Sequence, residues 1–167
     1  MKLYRFSPIK NKEELFKAIE HVHIQCHKLC LQKFGYFLPV AGNIGIFCHY
    51  DEEFEKLTEI RKEMTDINEH WNRKYYKLLK SITLHALNDI PPTIYTHLYI
   101  RHPDPYRSHV GDVDFYMEPE KYRKLKESLL TGTQIKGVRL FERKEEDMVE
   151  MYDPDIDAVA FVSPHKM

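Results

Sequence analysis

The stretch His109-Val110-Gly111-Asp112-Val113-Asp114-Phe115-Tyr116-Met117 decides how the chain is read. Its side chains alternate, as they do in a strand, where successive residues point to opposite faces. His109, Gly111, Val113, Phe115 and Met117 share what should be the covered face, while Asp112 and Asp114 point the other way. Pro119 then stands at a first-turn position, where a missing N–H is no loss. Tyr122, Leu125 and Leu129 follow at helical spacing, and Gly132 lies after the last of them. Alternating runs at Val138–Arg143, 148–152 and 158–162 come next, so this half of the chain reads as strand, helix and three strands.

Working back toward the N-terminus, residues 2–6 read as a short strand. Asn11 opens a helix, with Glu14 three residues on as in a capping box. Leu15, Ile19, Val22, Cys26 and Leu29 form its apolar stripe, and Gly35 ends it. Residues 39–45 read as a loop leading to Ile46-Phe47-Cys48, and a second helix begins at Asp51 with Phe54, Leu57, Ile60 and Met64 on one face. Strands are expected over 75–84 and Thr93–Arg101, parted by Asn88-Asp89 and Pro91-Pro92. The fold class that follows is α+β, with N-terminal helices packed on a mostly antiparallel β-sheet. A chain of 167 residues accommodates one core, so residues 1–167 are expected to form a single domain.

The apolar fraction of 43% and charged fraction of 31% are those of a folded globule. Lys+Arg 25 against Asp+Glu 26, interspersed, leaves no basic stripe to recruit nucleic acid or an anionic membrane. Few glycines and many Lys/Glu pairs point toward a thermophile. MKLYRFSPIK lacks the apolar core of a signal peptide. Three cysteines, an odd number, do not make a disulfide framework, and a cytoplasmic location is expected.

Cys26 lies on the first helix's apolar stripe, the place of a packed thiol. Cys48 admits two readings. It precedes a helix start, where backbone N–H groups stabilise a thiolate, yet it alternates with Ile44 and Ile46 as one face of a buried strand. His109 could serve as its general base, or be a half-buried histidine bonded to a carbonyl. His23, His27 and Cys30 fall at i, i+4 and i+7 of the first helix and could meet a metal, a spacing that chance also produces.

Two family resemblances attach to these residues. The unit from His109 to Val162, with Met148-Val149-Glu150-Met151-Tyr152-Asp153-Pro154, looks like half of a vicinal-oxygen-chelate (glyoxalase-type) enzyme, which implies His109 and Glu150 as metal ligands. The first half offers no equally convincing pair, His97 being the nearest candidate. The order of leading helix, Cys-bearing helix start and His-opened strand, with Pro105-Tyr106-Arg107-Ser108-His109-Val110, resembles the vasohibins, and the whole chain a vasohibin-like family of candidate-phyla-radiation bacteria. That resemblance implies a transglutaminase-like/papain-like cysteine protease core. Its triad would be a Cys48 nucleophile, a His109 base and a backbone carbonyl at Leu140, with Cys26 a rival to Cys48. A peptide or protein substrate and no cofactor are then expected, homodimer formation being left open. The alternatives are the glyoxalase-type enzyme and a non-catalytic interaction domain.

Overall fold

The computed structural model describes residues 4–67, 74–104, 106–143 and 146–167. Residues 4–6 are bends, and the rest of the strand expected over 2–6 lies outside the described residues. The elements run α1 (Lys12–Phe34), β1 (Val40–Phe47), α2 (Asp51–Met64), β2 (Tyr76–Leu84), β3 (Thr93–Arg101), β4 (Gly111–Tyr116), α3 (Pro119–Leu130), β5 (Val138–Arg143), β6 (Glu146–Met151) and β7 (Val159–Ser163).

Local chemistry explains the helix ends. The Asn11 side chain accepts from the Glu14 N–H at 2.9 Å, and Gly35 leaves α1 at φ 79°, a left-handed conformation that glycine adopts freely. Tyr50 contributes no side-chain cap to α2. Instead the buried Glu53 carboxylate accepts from the backbone N–H groups of Ile9 and His49, both at 2.8 Å, and ties the N-terminal segment to the start of α2. Residues 39–45, expected as a loop, are largely β1. Its glycines do not break the strand. They admit close neighbours, since a Cβ at Gly45 would land on the Asp112 carboxylate.

The seven strands form one mixed sheet in the order β2-β3-β1-β4-β7-β6-β5. β1 runs parallel to β3 and β4 parallel to β7, while β1 and β4 meet antiparallel at the centre. The second half, β4-α3-β5-β6-β7, is a strand–helix–three-strand module, and β1-α2-β2-β3 repeats that plan with one strand fewer. This corrects the expected fold. The chain does not build a transglutaminase-like/papain-like cysteine protease core; among the described residues four of the six strand pairings are antiparallel, as expected, but the sheet joins two strand–helix–strand modules edge to edge. The parallel pairings that define the modules depend on which strands meet across long stretches of chain, which local periodicity does not encode.

The main core lies between the helices and one face of the sheet, where Leu15, Ile19 and Val22 of α1 and Leu57 of α2 pack with Ile44, Ile46, Leu98, Val113, Phe115 and Val162. A smaller apolar cluster of Phe47, Val159 and Phe161, with Phe141 and Met148 against it, covers part of the opposite face. Among the described residues no helix is long and apolar enough to cross a membrane.

Two histidines are sealed into the main core. His23 Nδ1 bonds the Tyr95 hydroxyl at 2.8 Å, and His27 Nδ1 bonds the His23 carbonyl at 2.8 Å. Burial, then the neighbouring His27, pulls the His23 imidazole down to about 4. An unfolded histidine takes up a proton near pH 6.5, so between there and pH 4 the unfolded chain binds a proton that the folded chain refuses. Stability is therefore full above pH 6.5 and falls as pH drops through this window, by an upper limit of about 3 kcal/mol. His23→Leu should lower stability at neutral pH and flatten this acid slope in urea melts taken from pH 7 to 4. An unchanged slope would assign it to other groups.

Candidate functional site

The expected triad does not assemble. Cys48 follows β1 with its thiol inside the main core, 0% exposed. Burial, and next the Glu53 carboxylate, push that thiol far above the ordinary range, against the needs of a nucleophile. Among the described residues no hydrogen bond joins Cys48 to His109. Leu140 sits on the edge strand β5, separated from β4 by β7 and β6. Three strand spacings amount to about 14 Å, so its carbonyl is not on the neighbouring strand as expected. The rival thiol, Cys26, is buried too, donates to the Val159 carbonyl at 3.4 Å and is raised well above the ordinary range by burial. Cys30 bonds the Tyr36 carbonyl and is pushed up to about 11, chiefly by burial. Iodoacetamide should therefore leave all three cysteines unmodified in the native protein at pH 7.5 and label all three in urea. Rapid labelling of native Cys48 would contradict this placement.

The metal readings fare no better. His23 and His27 use their Nδ1 atoms, and Cys30 its thiol, in the core contacts just described, and all three are buried in α1. His109 and Glu150 line a common groove of about 410 Å³. Yet the Glu150 carboxylate is held by Arg139 at 2.9 Å and faces Arg107 at 3.8 Å. His109 Nδ1 is buried without a hydrogen-bond partner among the described residues, and burial, then Arg107, lowers its pKa. Among the described residues no group of three or more His, Cys, Asp or Glu is placed to hold a metal. The metal implied by the glyoxalase-type resemblance is thus not matched by the donors present.

What the sheet does assemble lies on its helix-free face. Strand register aligns Tyr99 with Gly45, Gly45 with Asp112, and Arg101 with Phe47. One residue pair along, His97 aligns with Asn43, and Asp114 with Phe161. Phe47, Tyr99, Arg101, Asp112, Asp114 and Phe161 of these rows, with Lys74, Tyr75, Asp104 and Arg107 from adjoining segments, line a cavity of about 150 Å³ whose apolar wall is Phe47, Phe141, Met148 and Phe161. Asp114 is anchored, accepting from Asn43 Nδ2 at 2.9 Å and from the Tyr75 hydroxyl at 3.3 Å.

Asp112, two residues before Asp114 on the same face, is 6% exposed, and its Oδ1 has no hydrogen-bond partner among the described residues. Burial first, and the Asp114 carboxylate second, raise it to about 8, although Lys74, Arg101 and Arg107 pull the other way. It occupies the space left by Gly45, where any side chain would collide with its carboxyl group. Lys74, Arg101 and Arg107 line the same cavity beside the carboxyl groups of Asp104, Asp112 and Asp114, and Arg107 also lies 3.8 Å from Glu150.

Sequence reasoning placed Asp112 and Asp114 on the face turned from the core and gave them no role. The usable signal was two acids at i and i+2 inside an otherwise apolar strand, a pattern a merely solvated face does not require.

No family model matches the chain, and no curated protein matches it. A solved structure described as "Structural Genomics, Protein EC4020" is similar over 99% of this chain and 94% of that one, with a TM-score of 0.66 and 12% identity. A glyoxalase/bleomycin resistance protein/dioxygenase superfamily member from Vibrio splendidus 12B01 covers 76% of this chain and 100% of its own, with TM-score 0.34 and 12% identity. Methylmalonyl-CoA epimerase in complex with methylmalonyl-CoA and NH4+ covers 76% of this chain and 96% of its own, with TM-score 0.33 and 15% identity. Likeness at such identity is one of fold. With this sheet order and with the Cys48 and Cys26 thiols buried in the core, the cysteine-peptidase reading is withdrawn.

Proposed function

We propose that this protein is a small-molecule enzyme whose site is the cavity on the helix-free face, with Asp112 as its general acid–base group. The observation that carries the reading is Asp112 itself, a buried carboxyl lacking a partner at Oδ1, raised to about 8 and facing a cavity lined by three cations. A carboxyl so placed populates both protonation states near neutral pH, which is what proton transfer requires. In the step it supports, the Asp112 carboxylate takes a proton from carbon beside a substrate carbonyl. The C–H electron pair moves into the enolate, whose oxygen is charge-balanced by the cationic lining. Return of a proton from Asp112 to carbon restores the C–H bond, with no net oxidation. The glyoxalase-type alternative is kept at the level of architecture, and its site moves from His109 and Glu150 to Asp112. Three free cysteines suit a reducing compartment such as the cytoplasm.

The test is solvent-deuterium exchange into small carbonyl compounds, among them pyruvate and its methyl ester, followed by proton NMR. Exchange by the protein should rise with pH and level off above about 8, as Asp112 loses its proton. Asp112→Asn should lower it about a hundredfold to ten-thousandfold. Exchange by a folded Asp112→Asn protein at the wild-type rate would end this reading.

A further inference from the structure

We infer that the cavity recognises its substrate through a carboxylate group, which docks side-on against one edge of the Arg101 guanidinium. The inference rests on the cavity being a substrate site and adds to it the class of molecule it takes, a small oxo- or hydroxy-carboxylic acid.

Arg101 enters the cavity from the end of β3, with its side chain 16% exposed. Its guanidinium lies over the Phe47 ring, with Cζ 3.6 Å from the ring centroid, so the plane of the group is set by packing. Two of its nitrogens, Nε and Nη2, are buried and donate no hydrogen bond to any described residue. The nearest carboxylate oxygen paired with Nη2, Asp104 Oδ2, stands at 3.6 Å, outside hydrogen-bonding distance. Nε–H and Nη2–H share one edge of the guanidinium and run nearly parallel. They are the fork that a planar carboxylate meets with both oxygens, and a lysine ammonium cannot reproduce it. Buried donors left unsatisfied are unfavourable, so a fork with no acceptor among the described residues marks a place for one.

The remaining lining fits the rest of such a molecule. Lys74 and Arg107 add positive charge, and Phe47, Phe141, Met148 and Phe161 offer an apolar wall to a short carbon chain. Asp112 is on the strand next to the one that carries Phe47 and Gly45, so a carbonyl or hydroxyl beside the docked carboxylate falls to it. A cavity of about 150 Å³ is the size that takes a ring of about six non-hydrogen atoms, which is also the size of the smallest oxo acids.

The experiment titrates the wild-type protein with pyruvate, acetate, methyl pyruvate and inorganic phosphate while the ¹⁵Nε signals of arginine are followed by NMR. Pyruvate and acetate should shift the Arg101 signal, identified by its loss in Arg101→Lys, in a saturable way. Methyl pyruvate, of nearly the same shape without the charge, should leave it in place. Arg101→Lys keeps the charge and removes the fork, so it should weaken pyruvate binding about ten- to hundredfold. Its exchange activity on methyl pyruvate should fall less than its activity on pyruvate, because the ester brings no carboxylate to the fork. No saturable carboxylate binding, phosphate preferred to both acids, or acid and ester bound alike would overturn the inference. So would pyruvate binding that is indifferent to Arg101→Lys. These outcomes are separate from the fate of Asp112. Equal binding of acid and ester leaves the acid–base reading standing if Asp112→Asn still abolishes exchange. Normal exchange in that variant removes the acid–base reading even where the fork binds carboxylates.

Discussion

Asp112→Asn should stabilise the protein, and by more at pH 8.5 than at pH 5, while it abolishes proton transfer. The Asp112 carboxyl is raised from an ordinary value of 3.8 to about 8 in the folded protein, mainly by burial and then by Asp114. Between those two values the folded chain holds a proton that the unfolded chain has released, so stability declines as pH rises through the window. Below pH 4 both states are protonated and nothing is lost; above pH 8 the folded protein carries a buried, repelled carboxylate and the whole penalty is present. At 1.36 kcal/mol for each pH unit between 3.8 and about 8, the upper limit is roughly 6 kcal/mol, which relaxation of the surroundings reduces in practice. Asparagine has the same shape and no charge to desolvate. Urea melts of both proteins at pH 5 and 8.5 should therefore show the variant's advantage growing by about 2–4 kcal/mol between the two. An equal difference at both pH values would mean that Asp112 ionises in the folded protein as it does in water.

Gly111→Ala should be the most damaging single-methyl substitution in the sheet. Gly111 lies on β4 opposite Ile46 of β1, at the seam where the two modules join. A Cβ there would fall on the Gly45 carbonyl oxygen and press on the Val22 side chain of α1. Val22 can shift, but the carbonyl belongs to the backbone of the central strand, and no rotamer change moves it. Relief requires β1 and β4 to part, which strains the antiparallel pairing between the modules and the α1 packing above it. Overpacking of a core commonly costs about 1–3 kcal/mol; with backbone as the obstacle, a loss of about 3 kcal/mol or more is expected. Gly35→Ala makes the contrast. Its φ is 79°, but nothing lies within 4 Å of the new methyl, so a loss of about 1 kcal/mol is expected there. Guanidinium denaturation of both variants checks the pair. Losses of similar size would mean that backbone conformation, rather than close approach at the seam, decides what these glycines do.

Local signals in the sequence located most elements and left their arrangement open. Asn11 with Glu14, and Pro119 with Gly132, are signals carried within a few residues, and α1 and α3 lie where those residues put them. The strand over Thr93–Arg101 was legible from its alternation, but its parallel pairing with β1 was not, because that contact joins segments some fifty residues apart. Residues 39–45 misread as loop because Gly42 and Gly45 look like breakers. In the sheet Gly45 is small so that Asp112 can fit. The same cause hid the site. Cys48 and His109 drew attention as residue types with familiar chemistry, whereas Asp112 gains its character only from burial, from Asp114 beside it and from cations on β3 and the flanking segments. None of those is a property of residue 112 alone.

The most direct test is a carboxyl ¹³C NMR titration of the aspartates, with the Asp112 resonance identified by its absence from Asp112→Asn. The expected result is an Asp112 inflection near pH 8, shifted downward when Asp114→Asn removes the neighbouring charge. An Asp112 inflection in the ordinary range, near pH 4, would contradict the account, because the cavity would then hold a plain surface-like carboxylate and no acid–base group.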